Sequence, residues 1–76
     1  MTTLDQLSPG QCATVGRVAA ERGLRKRLLE MGLTRGARIE LLKAAPLGDP
    51  LEFKLRDYHL SLRKAEARLI EIDLEG

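Results

Sequence analysis

The chain has 76 residues, 43% of them hydrophobic and 32% charged, with a formal net charge of +2 at pH 7. That length makes one domain with a small core, burying only about 60% of the surface its unfolded form would expose, and the composition excludes a disordered chain. No run approaches the roughly 18 consecutive apolar residues of a membrane helix, and the opening "MTTLDQLSPG" lacks the basic and apolar blocks of a signal peptide, so a cytoplasmic protein is expected.

The elements follow from the N-terminus. Ser8-Pro9-Gly10 is a turn signal, with Pro setting φ and Gly free to take a positive one. "QCATVGRVA" then reads as a strand carrying Val15 and Val18, in which Gly16 permits a bulge or tight bend. Cys12, the one cysteine, has no internal disulfide partner, and its apolar surroundings predict a small buried hydrophobe rather than a reactive thiol.

"LRKRLLEMG" is the one helix of more than a turn. Leu24, Leu28 and Met31 recur at i, i+4 and i+7, and Gly32 stands where a left-handed residue closes a helix. At two to three turns it is too short to persist alone and needs tertiary packing. "LTRG" is a further turn, and "ARIELLK" places Ile39 and Leu41 on one face of a strand.

After the loop "APLGDP", Leu51, Phe53 and Leu55 alternate with Glu52, Lys54 and Arg56 in the period of a half-exposed strand. The chain reverses with Asp57-Tyr58 as the expected hairpin tip and returns with Leu60 and Leu62 facing inward. "KAEA" is a single helical turn, and "RLIEIDL" ends the pattern with Ile70, Ile72 and Leu74 on one side. Five short strands bury one face economically by curling into a small closed SH3-like barrel with one inserted helix, whereas a ferredoxin-like α+β fold would need a second long helix.

Little here supports catalysis or a dedicated metal or cofactor site. Cys12 and His59 are the only soft or borderline donors, His59 reads as a solvated strand residue, and no H-E-x-x-H, C-x-x-C, P-loop or G-x-G-x-x-G is present. A binding module is the expectation.

The segments "RLLEMGLTRG", "APLGDP" and "YHLSLRKAEA", in that order and with "LSPGQ" before them, closely resemble the FeoA family, the small accessory proteins of bacterial ferrous iron transport. The resemblance implies one FeoA-like SH3-like domain over residues 1–76. It also implies a cytoplasmic adaptor that binds, regulates or stabilises the FeoB membrane transporter without being membrane-embedded. A similar domain is appended to iron-dependent repressors, but this chain lacks their winged helix and metal-binding domains, so it looks like the free-standing form. Family members usually carry glycine before the tyrosine of "GYxLSLR"; here Asp57 stands there, at a hairpin position expected to take positive φ.

Two surfaces are candidates for partner contact. Between Arg17 and Arg38 the chain is strongly basic, and on the helix Leu29 projects away from the Leu24 face, among Arg25 and Lys26. In the loop, Pro46, Gly48, Asp49 and Pro50 stiffen a segment whose tip is apolar Leu47. Tyr58, at the neighbouring corner, completes the set of expected partner-binding residues. The alternative is a nucleic-acid-binding small barrel, to which "RKR" at 25–27 points, but one Tyr and one Phe leave little for base stacking.

Overall fold

The computed structural model describes residues 2–75. A 3-10 turn over Leu4–Gln6 precedes β1 (Cys12–Val18), α1 (Arg22–Glu30), β2 (Arg38–Ala44), β3 (Leu51–Leu55), β4 (Tyr58–Leu62), α2 (Lys64–Ala67) and β5 (Ile70–Leu74). The strands form one antiparallel sheet in the order β4-β3-β2-β1-β5. It is the mostly β fold with one short inserted helix that the periodicity predicts. One detail differs: the ladder is open, with β4 and β5 as its end strands and the single turn of α2 joining them.

Alternation places the core. Ala13, Val15, Ile39, Leu41, Phe53, Leu55, Leu60, Leu62, Ile70 and Ile72 come from all five strands and lie buried in one cluster, so the sheet curls around them. Leu74 has the same parity as Ile70 and Ile72 and was expected inside. It is 48% exposed, although it stands opposite the buried Ala13 of β1.

Val15 and Val18 are both buried although three residues apart, which strict alternation forbids. The register against β5 shifts between them, with Val15 opposite Ile72 and Val18 opposite Ile70, so β1 bulges at Gly16 as expected. A Cβ on Gly16 would lie 3.2 Å from the Glu71 carbonyl oxygen, so glycine is what lets the two strands approach there.

The helix begins two residues earlier than Leu24. The carboxylate of Glu21 accepts from the N–H groups of Leu24 (2.5 Å) and Gly23 (3.0 Å), capping the first turn. Those two bonds, Leu24 first, hold its pKa below the usual glutamate range. At the other end Gly32 takes φ +100°, its N–H donates to Leu29 O, and Leu33 N–H donates to Leu28 O, the paired bonds of a Schellman motif. Leu28 is wholly buried, which contributes about 1.5–3 kcal/mol, and Leu24, Leu29 and Met31 pack partly against the core.

The N-terminal segment does more than lead into a turn. Leu4 and Leu7 are core residues, Thr3 bridges to Glu71, and Ile72 N–H donates to Thr2 O, so residues 2–7 cover the outer edge of β5.

Candidate functional site

The β2–β3 loop is held from inside by backbone bonds. Ala45 N–H donates to Pro50 O (2.9 Å), Gly48 N–H donates to Ala45 O (2.7 Å), and Gly48 sits at φ +89°, which suits a residue without Cβ. The Asp49–Pro50 peptide is cis. From outside, the Asp49 carboxylate accepts the Lys64 N–H at 3.0 Å, tying the loop to the start of α2. Pro46 and Leu47 form the outer turn, where Leu47 is 97% exposed. The loop therefore displays one leucine on a braced backbone, and Asp49 has a structural task within it.

At the β3–β4 corner the geometry differs from the sequence reading. Leu55 pairs with Tyr58, so the two-residue tip is Arg56-Asp57, and Tyr58 is the first residue of β4. The positive φ falls on Arg56 (+55°) and not on Asp57. The pairing register, fixed by burial of Leu55 and Leu60, decides which two residues turn. Tyr58 is 43% exposed, but its hydroxyl donates to the Met31 carbonyl at the end of α1 and lies where a Cβ on Gly32 would be.

The third region is the outer face of α1. Leu29, half-buried, is left partly uncovered and lines two adjoining grooves. One, about 190 Å³, lies between α1 and β1 and is lined by Leu29, Arg25, Gly16, Arg17, Leu33 and Arg35 among others. The other, about 430 Å³, runs along the helix beside Arg22, Arg25, Lys26 and Glu30. The structure thus brings Leu29, Arg25 and Lys26 together on one face and adds Arg17 and Arg35, which a helix wheel alone does not reach. Their only sequence signal is the basic excess between residues 17 and 38.

Cys12 is not the buried hydrophobe expected. Alternation gives the inner positions of β1 to Ala13 and Val15, so Cys12 faces outward, half-buried, beside Arg38, Glu40, Lys54 and Arg56. It stands opposite Glu40, which is opposite Lys54, which is opposite the exposed His59, a row across four strands. Among the described residues no three of His, Cys, Asp and Glu stand close enough together to hold a metal ion, and no helix is long and apolar enough to cross a membrane.

Known proteins match this framework. Residues 2–74 match the FeoA domain family. A curated relative, the Fe(2+) transport protein A/Fe(2+) transporter FeoB fusion protein of Porphyromonas gingivalis, is 41% identical over 93% of this chain, which spans only 8% of that relative's length. The solution structure of FeoA from Chlorobium tepidum superposes with a TM-score of 0.92 at 40% identity, covering 99% of this chain and 71% of the other. FeoA from Stenotrophomonas maltophilia, a zinc complex described as a prokaryotic SH3 domain protein, superposes with a TM-score of 0.84 at 27% identity over 96% and 91% of the two chains. With a family match over residues 2–74, relatives about 40% identical and an SH3-like sheet in agreement, this chain belongs to the FeoA family.

Proposed function

We propose that this protein is a cytoplasmic accessory factor of ferrous iron transport that binds a FeoB-type membrane transporter and regulates or stabilises it through protein contacts. The observation that carries this reading is the relative in which a FeoA segment and the FeoB transporter form one polypeptide, since fusion keeps together two parts that act on each other. The braced loop supplies a suitable contact: Leu47, held clear of the core, meets a partner with little ordering cost, with Pro46, Gly48 and Pro50 shaping its approach. Leu29, with Arg25 and Lys26 around it, supplies a second contact of mixed character.

Base recognition is a poorer fit. Among the described residues Phe53 is fully buried and Tyr58 lines neither groove of the basic face, so those grooves present no aromatic ring for stacking.

Capture of the transporter from detergent-solubilised membranes by the tagged protein tests this reading. The unmodified protein should retain it, and Leu47→Asp should weaken the association by about 1–3 kcal/mol. Full retention by Leu47→Asp would move the contact off the loop, and failure of the unmodified protein to capture the transporter would overturn the partnership.

A further inference from the structure

Around an apolar floor the α1–β1 groove gathers three arginines that have no carboxylate partner among the described residues. Three arginines elsewhere have carboxylate neighbours: Arg27 faces Glu66 at 3.6 Å, Arg38 faces Glu75 at 2.8 Å and Arg68 faces Asp5 at 3.8 Å. Arg17, Arg25 and Arg35 all line the one groove, and among the described residues none has a carboxylate within 4 Å. Three like charges around one cavity repel each other, and Val18 and Leu33 beneath them are buried.

That floor limits what the rim can hold. It is made by Val18, Leu29 and Leu33 and offers no hydrogen-bond donor to a bare anion, so its area contributes only if the ligand brings an apolar group. The cavity has room for one aliphatic side chain. The rim continues along the helix with Arg22 and Lys26, and Glu30 closes the far groove with the opposite sign.

We propose that this groove receives a short acidic segment of a partner protein carrying one aliphatic side chain. The carboxylates pair with Arg17, Arg25 and Arg35, and the aliphatic group lies against Leu29. An apolar centre within a charged rim is the general form of a specific protein contact, and full charge complementarity supplies orientation and a fast approach. The inference rests on the reading that the protein works by protein contact, and it assigns an acceptor surface on elements different from the loop that carries Leu47.

The probe is a fluorescein-labelled hexapeptide of aspartate and glutamate with one central leucine, followed by anisotropy. Saturable binding is expected, about tenfold weaker to Arg17→Gln/Arg35→Gln. Replacing the peptide's leucine by serine should weaken binding about fivefold. Both arginines are exposed, so the variant should unfold at the temperature of the parent, which confirms that it is folded. The proposal is overturned by absence of binding up to millimolar peptide, by equal binding to the double variant, or by a serine peptide that binds equally well and is displaced by inorganic phosphate, which would describe a simple anion patch.

Transporter capture separates the two readings. If Leu47→Asp loses the transporter while Arg17→Gln/Arg35→Gln keeps it and the peptide fails, the partnership stands and the groove falls. If the peptide behaves as expected while the unmodified protein captures no transporter, the groove stands and its partner is a different protein.

Discussion

At the β3–β4 corner Tyr58 is 43% exposed, and at the β2–β3 corner Leu47 is 97% exposed. Both are large residues at the edge of the same sheet, yet Tyr58 ends on the Met31 carbonyl with its hydroxyl in the space above Gly32, while Leu47 ends in solvent. The tyrosine is a clasp between β4 and the end of α1. The leucine has no such task, although the loop beneath it is fastened by Asp49 and by its own backbone. Partial exposure therefore does not by itself mark a contact residue. What distinguishes Leu47 is that its backbone is anchored and its side chain is not.

Substitutions at the two corners should have unequal effects. The largest effect is expected from the helix that the tyrosine closes: Leu28→Ala should cost about 2–5 kcal/mol, and Ile72→Ala in β5 a similar amount, read from denaturant midpoints. An unchanged midpoint would mean that α1 is not fastened to the core at all. Gly32→Ala comes next. The alanine would have to adopt φ +100° and its Cβ would meet Tyr58 Oη and approach Leu55 Cδ2 to 3.1 Å, so a loss of about 1–3 kcal/mol is expected.

Tyr58→Phe isolates the clasp. Removing only the hydroxyl should cost about 0.5–1.5 kcal/mol, and its effect should fail to add to that of Gly32→Ala because the two share one space. Additive losses would show that the tyrosine acts elsewhere. Leu47→Asp is the smallest, with stability within about 0.5 kcal/mol of the parent in thermal unfolding. A larger loss would make Leu47 part of the fold and erase the contrast between the corners.

Much of the architecture is legible in the chain. Alternation in "LEFKL" and the 3-4 spacing of Leu24, Leu28 and Met31 reflect periods that any strand or helix imposes locally, and Gly32 marks a backbone conformation that glycine adopts at least cost. Leu47 was visible for the same kind of reason, an apolar residue between two prolines. Alternation with Ala13 and Val15 also held the answer for Cys12, but its apolar neighbours pointed the other way.

What the linear order could not decide depends on residues far apart in it. The hairpin tip moved to Arg56-Asp57 because register is set by which leucines the core accepts. Tyr58 meets Met31 across 27 positions, and Arg17, Arg25 and Arg35 share a groove only because the β1 bulge and the turn after α1 bring them there. Sequence by itself determined the elements and their inner faces, since those follow from backbone periodicity and the hydrophobic effect. Only the tertiary structure decided which exposed residues are fastened and which are free, because that depends on the hydrogen bonds and charges that packing brings within reach of each side chain.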